Sequence, residues 1–220
     1  MSALRLFVTG TDTGVGKTRV VATLACALHA LGRTPQIVKA VQTGLRDAQP
    51  GDAADAGALC SLPAKELHRF RAPADPWSAA LAAGVAPLRA EALAQELAAL
   101  EGDLILEGSG GLLVPLNASQ SFADLATLAQ LQVVLAIGMR LGCMSHTQLT
   151  LEACARRSLR VIGAILVPCD ASVSEGYIAD ITRFLQGKTE ILGILPHETP
   201  SVPAIEADAK ALRHRLTPFL

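Results

Sequence analysis

The sequence predicts an α/β protein, a three-layer sandwich on a mainly parallel sheet, and three observations carry that prediction. Short apolar, partly β-branched runs alternate with segments of helical period. The runs are nearly continuous in apolar character rather than alternating, as strands covered by helices on both faces are. A glycine-rich turn ends the first run and opens the first helical segment.

The strand-like runs are Leu4 to Thr9, Gln36 to Val41, Leu104 to Leu106, Val133 to Ile137, Val161 to Val167 and Ile191 to Leu195. Helical spacing is read at Lys17 to Leu31, closed by Gly32, and at Arg89 to Leu100, Phe122 to Leu131, Thr147 to Arg157 and Gly176 to Leu185. Leu45 to Pro87 is the least periodic stretch, rich in Ala, Asp and Pro, and reads as a functional excursion with short helices. Its interspersed Leu, Phe and Trp argue against a disordered linker, and no fixed-period repeat occurs. Residues 1–220 therefore read as one domain, in keeping with about 150 residues per domain as the usual scale.

Half the residues are hydrophobic and 18% charged, which excludes a disordered chain, while aromatics make up only 3%, so the core must be aliphatic. The 19 basic and 20 acidic residues leave a net charge of −1, hence no global basic field for nucleic acid or anionic lipid. Any phosphate site must be local. The apolar stretches are too short for a bilayer, since Val133 to Met139 meets Arg140 and Val20 to Leu28 meets His29. Met1 to Thr9 lacks the basic and long apolar segments of a leader, so the expectation is a cytoplasmic protein. The five cysteines are widely spaced, without a C-x-x-C pair, and suggest neither a disulfide framework nor a structural metal site.

The strongest chemical signal is Gly10-Thr11-Asp12-Thr13-Gly14-Val15-Gly16-Lys17-Thr18. In such a loop the backbone N–H groups of Gly14, Val15 and Gly16 surround phosphate oxygens, the helix N-terminus adds partial positive charge, Lys17 reaches the β and γ phosphates and Thr18 can ligate Mg²⁺. Gly10 stands one residue earlier than in the common spacing. The segment Val38 to Gly44 ends the second strand, and its Lys39, towards the carboxyl end, faces the ligand crevice with a charge that would stabilise a transferring phosphoryl group. Glu107 closes a buried apolar strand and is followed by Gly108-Ser109-Gly110-Gly111, an acid placed to hold Mg²⁺ with backbone amides open to a ligand. Leu141-Gly142-Cys143-Met144-Ser145-His146 precedes a helix with Ser145 at the N-cap position, a carboxylate-binding arrangement of amides.

The long loop resembles the phosphate-loop branch that contains the nitrogenase iron protein, partition ATPases, cobyrinate-type synthases and dethiobiotin synthetases. Asp12 stands where partition ATPases carry a Lys. Thr9 to Thr13 with Val15 to Thr18 is similar to the dethiobiotin synthetases in particular, and so are Val38-Lys39-Ala40-Val41-Gln42-Thr43-Gly44, Leu106 to Gly111 and Leu141 to His146, so that the resemblance spans almost the whole chain. It implies an ATP- and Mg²⁺-dependent ligase of biotin synthesis. In that family an amine of diaminopelargonic acid takes up CO₂ as a carbamate, the carbamate oxygen attacks the γ-phosphate, and the second amine closes the ring.

Carried onto this chain, the resemblance implies Lys17, Lys39 and Thr11 as catalytic residues. Thr11, Lys39, Thr43, Gly110, Gly142, Cys143 and Ser145 would hold the diamine, the last three from a neighbouring subunit, so that a homodimer is implied. Thr18, Glu107 and Asp55, or Asp52 in the alternative register, would hold Mg²⁺. Val167 stands where many members read adenine with an Asn, and Pro196 and His197 follow in the next base-proximal segment, which implies weaker discrimination among ATP, CTP and other nucleoside triphosphates. The alternatives are a nucleotide switch of the partition or septum-placement class and a cobyrinate-type amide ligase.

Overall fold

The computed structural model describes residues 3–46 and 48–219. Met1 and Ser2 ahead of the first run, Asp47 of the excursion and Leu220 lie outside the described residues. The strands are β1 (Arg5–Gly10), β2 (Gln36–Thr43), β3 (Ala64–Phe70), β4 (Leu104–Gly111), β5 (Gln132–Met139), β6 (Val161–Pro168) and β7 (Ile191–Ile194). The helices are α1 (Lys17–Ala30), α2 (Asp52–Cys60), α3 (Pro76–Ala82), α4 (Ala90–Ala98), α5 (Phe122–Leu128), α6 (Cys143–Arg156), α7 (Glu175–Leu185) and α8 (Val202–Leu216).

The strands form one sheet in the order β3-β2-β4-β1-β5-β6-β7, with every pairing parallel. Because successive side chains of a strand point to opposite faces, β1 sends Leu6 and Val8 to one layer and Phe7 to the other. The first layer is closed by α1, α2 and α8 through Val20, Leu24, Ala53, Ile205 and Leu212. The opposite layer is closed by α4 and α5 through Leu93, Leu97 and Phe122, whose ring stacks on Phe7 at 6.2 Å between centroids, while α6 and α7 extend it towards β6. The predicted three-layer sandwich is thus the observed one.

Two elements were absent from the sequence reading. β3 falls inside the 45–87 excursion, where Ala-Lys-Glu-Leu-His-Arg-Phe has no continuous apolar run. It is an edge strand, half exposed and carrying charges, as edges that avoid further pairing do. α8 follows Pro196, and its Ile205, Ala209, Leu212 and Leu216 bury one helical face against α1. The α6 N-cap is Gly142 in the left-handed region at φ 90°, and Ser145 lies exposed in the first turn, so the N-cap assignment of Ser145 is corrected. The left-handed turn places the helix start three residues earlier than a side-chain cap would.

Asp103 fastens the amino end of the sheet, accepting from Leu4 N at 2.8 Å and from Arg33 Nε and Nη2, both at 2.6 Å. Hydrogen bonding from Arg33 holds its carboxyl below the ordinary value of 3.8. A lowered carboxyl contributes stability that is present above its unfolded pKa and lost as pH falls through the folded one. Asp103→Asn is therefore expected to cost about 1–3 kcal/mol at neutral pH, with the gap from the parent protein narrowing below about pH 4. Urea unfolding at both pH values checks this, and a pH-independent gap would remove the ionic contribution.

Candidate active site

Three strand ends build the site. β1 delivers the phosphate loop, β2 delivers Lys39 and Thr43, and β4, inserted between them, delivers Glu107 and Ser109. The register sets Lys39 directly beside Glu107, which is in turn beside Val8 of β1. Around a cavity of about 510 Å³ lie Thr13, Gly14, Gly16, Lys17, Thr18, Lys39, Gln42, Thr43, Asp52, Glu107, Ser109 and Gly110. A second cavity of about 440 Å³ adjoins it, sharing Thr13, Thr43, Ser109 and Gly110 and continuing to Pro73, Ala74, Pro76 and Val114.

The loop bends through Gly14 at φ 69° and Gly16 at φ 80°, a conformation L side chains rarely adopt. A Cβ on Gly16 would stand 2.8 Å from Val167 Cγ1, so the loop rests against the end of β6. Val15 is buried beneath the loop and does not line the cavity. Gly16→Ala is expected to lose about 1–2 kcal/mol of stability from the left-handed backbone alone, and nucleotide affinity with it. Thermal unfolding and a nucleotide titration check this, and unchanged affinity would sink it.

Lys17 is 7% exposed and its Nζ donates to the Asp12 carbonyl at 3.0 Å. Burial, and then the neighbouring Lys39, pull its pKa down to about 8. An ammonium so poorly solvated gains from a phosphate partner. Lys39 donates to Asp52 Oδ2 at 2.6 Å, Glu107 Oε1 at 2.8 Å and the Gly108 carbonyl at 3.1 Å. Burial alone would lower the Lys39 pKa, but Glu107 and Asp52 outweigh it and raise it, so the group stays charged. Burial pushes the Glu107 carboxyl up, against the opposing pull of Lys39.

Thr18 Oγ1 donates to Glu107 Oε1 at 3.2 Å, whereas Glu107 Oε2 is buried with no hydrogen-bond partner. A buried carboxylate oxygen without a donor, beside a threonine hydroxyl and Asp52, is an all-oxygen set that fits a hard divalent cation such as Mg²⁺.

Asp55 is corrected. It is exposed on α2 and does not line the cavity, while Asp52 at the helix start reaches Lys39. The register follows from Gln42, a buried cavity residue missed in the sequence, whose Oε1 accepts from Asp52 N at 2.9 Å and so fixes where α2 begins. Thr11 is corrected as well. Its N–H donates to the Ala136 carbonyl at 3.0 Å and its side chain borders a different cavity, of about 420 Å³, with Asp12, Leu113 and His146. The loop hydroxyl beside Thr43 and Ser109 is that of Thr13.

Gly108 lines the site only through its carbonyl, bound by Lys39. Ser109 spends its hydroxyl on the Val41 carbonyl at 2.6 Å. Gly142, Cys143 and Ser145 do not reach the phosphate cavity of their own chain, and the Cys143 side chain is buried beside Tyr177, with Sγ 3.5 Å from its hydroxyl. The turn is nevertheless tied to the loop by an ion pair between Arg140 and Asp12. Val167 packs under Gly16, and Pro196 and His197 stand exposed beyond β7.

A glycine-rich turn at the start of α1, a buried Lys on one strand and an acid beside it on the neighbouring strand define a phosphate-loop nucleotide-binding protein. A family model described as an AAA domain matches residues 4–204. A protein of Anaeromyxobacter dehalogenans (strain 2CP-C) described as ATP-dependent dethiobiotin synthetase BioD is 39% identical over 216 residues, covering 94% of both chains. One of the same description from Agrobacterium fabrum is 34% identical over 220 residues, covering 99% of this chain and 98% of that one. The chain belongs to the dethiobiotin synthetase family.

Solved structures resemble it more distantly. A plasmid partition protein from Borrelia burgdorferi superposes with a TM-score of 0.59 at 11% identity, covering 96% of this chain and 99% of that one. The MinC:MinD cell division complex of Aquifex aeolicus gives 0.58 at 16% identity, covering 99% and 96%. These share the fold alone, and the relatives favour neither the nucleotide-switch nor the amide-ligase alternative. No helix among the described residues is long and apolar enough to cross a membrane.

Proposed function

We infer that this protein is a dethiobiotin synthetase, an ATP-consuming ligase that joins CO₂ to the two amines of diaminopelargonic acid as a cyclic urea. The observation that carries the reading is Lys39, buried between Asp52 and Glu107 in the phosphate cavity, which shares Thr13, Thr43, Ser109 and Gly110 with the adjoining one. A cation there faces both a γ-phosphoryl group and a carbamate. Residues 1–220 are taken as one catalytic domain, which the single sheet running through the described residues supports.

Phosphates lie on the amides of Gly14 to Thr18, with Lys17 leaving the Asp12 carbonyl for them. The aliphatic diamine fits the cavity of about 440 Å³ lined by Pro73, Ala74, Pro76 and Val114, with its reacting end at Thr13 and Thr43. One amine adds to CO₂ and loses a proton to give a carbamate. The carbamate oxygen displaces ADP from the γ-phosphorus, forming a carbamic-phosphoric anhydride. The second amine then attacks the carbonyl carbon, loses a proton and expels phosphate.

Lys39 offsets the charge that passes from carbamate to phosphoryl group, a role that positioning and electrostatics suffice to fill. Thr18, Asp52 and Glu107 would hold Mg²⁺, which when bound neutralises phosphate charge.

A homodimer is part of the reading. Gly142 and Ser145, exposed on their turn, would serve the carboxylate tail of a diamine bound by the other copy. Leu141 at 96%, Leu149 at 62% and Leu113 at 51% exposure supply apolar surface for such an interface. A cytoplasmic location agrees with a biosynthetic role.

Phosphate release with Mg²⁺ and ATP or CTP, with diaminopelargonic acid and bicarbonate added singly and together, tests the function. Release that requires both supports the ligase; release indifferent to both overturns it.

A further inference from the structure

Arg19 follows Thr18 in the first turn of α1, yet it faces away from the phosphate cavity and is only 6% exposed. Its Nη1 donates to the carbonyl of Pro196 at 2.6 Å and to that of Glu198 at 3.3 Å. Nη2 donates to Glu198 Oε1 at 3.2 Å and to Asp208 Oδ2 at 2.7 Å, and Nε reaches the same Asp208 oxygen at 3.2 Å. Asp208, on α8, is 7% exposed. The last sheet hydrogen bond before this segment runs from Leu195 N to the Leu166 carbonyl, and Ser201 caps α8 beyond it. Between those two points, among the described residues, the hydrogen bonds that hold the segment come from Arg19.

The side of the phosphate loop matters. Lys39, Asp52 and Glu107 stand on the β2–β4 side, where the γ end of a triphosphate must lie to react. The nucleoside then extends the other way, towards β6, whose Val167 touches Gly16, and the segment that follows β7. We propose that Arg19 is a positioning residue that holds Pro196 to Glu198 in the conformation that contacts the nucleoside, so that one helical turn carries both the phosphate grip and the base support. The planar guanidinium suits this task because it spans two carbonyls and two carboxylates at once, which a Lys ammonium does not. The inference rests on the nucleotide-consuming reading above.

The test compares Mg²⁺–ATP with Mg²⁺–tripolyphosphate, which keeps the phosphates and lacks ribose and base, by calorimetric titration of the full chain. Arg19→Met leaves Asp208 buried without its partner. The double variant Arg19→Met/Asp208→Leu therefore runs beside it, since exchanging both members of a buried pair for apolar groups is often tolerated. In a variant that folds, ATP affinity is expected to fall about tenfold or more while tripolyphosphate affinity stays within about twofold. KM for ATP is expected to rise with kcat little changed. Arg19→Lys is expected to recover stability opposite Asp208 but not ATP affinity. Unchanged ATP affinity, or equal loss of both ligands, overturns the positioning role. Equal affinity of the parent protein for the two ligands also overturns the proposal, because no nucleoside contact would then exist to support, whereas a parent protein that binds neither ligand overturns the underlying nucleotide-consuming reading.

Discussion

Lys39→Met is expected to lower kcat by about a hundred- to a thousandfold, with nucleotide affinity changed by no more than about threefold. The ground-state grip on the triphosphate comes from the loop amides and Lys17, whereas Lys39 stands beside Glu107 in the cavity where charge shifts during transfer. The substitution also strands Glu107, which is 1% exposed and already has one oxygen without a donor. Removing one member of such a buried pair costs about 3–5 kcal/mol, so the free variant is expected to unfold at a lower temperature. Steady-state phosphate release beside a nucleotide titration separates these effects. Unchanged turnover would take Lys39 out of the mechanism, and a parallel collapse of nucleotide affinity would make its role one of binding.

Asp52→Asn is expected to lower kcat/KM about ten- to a hundredfold, and Asp55→Asn to leave it within about twofold. The two carboxylates are three residues apart on one helix, but only Asp52 touches Lys39 and lines the cavity. Asp55 is exposed, where a charge is worth little. The same assay, repeated over a Mg²⁺ titration, checks the pair. Equal loss in both variants would return the metal assignment to Asp55, and equal indifference would remove α2 from the site.

The phosphate loop was legible because all its parts are contiguous: glycines, Lys17 and Thr18 follow one apolar strand and open one helix. Lys39 and Glu107 were legible singly, Glu107 because it closes the apolar run Leu104 to Leu106 and Lys39 because it is a lone charge within a largely apolar strand. β3 was not, because an edge strand with one neighbour needs no unbroken apolar sequence. α8 did carry a signal in Ile205, Ala209, Leu212 and Leu216, spaced for one helical face. The choice between Thr11 and Thr13 was closed to sequence reasoning, since two hydroxyls two residues apart are separated by how the loop turns at Gly14 and Gly16.

By itself, then, the amino-acid order determined the layered parallel fold, the nucleotide chemistry and the identity of the charged groups that serve it. Each of those is written in local period or in an unbroken motif. Only the tertiary structure decided that Lys39 sits between Asp52 and Glu107, that Gln42 starts α2 at Asp52, and that Arg19 reaches across to Pro196 and Glu198. Those contacts join residues 10 to 179 positions apart. Their distances are set by strand register and helix docking, quantities that depend on how two remote segments pack and that neither segment encodes alone.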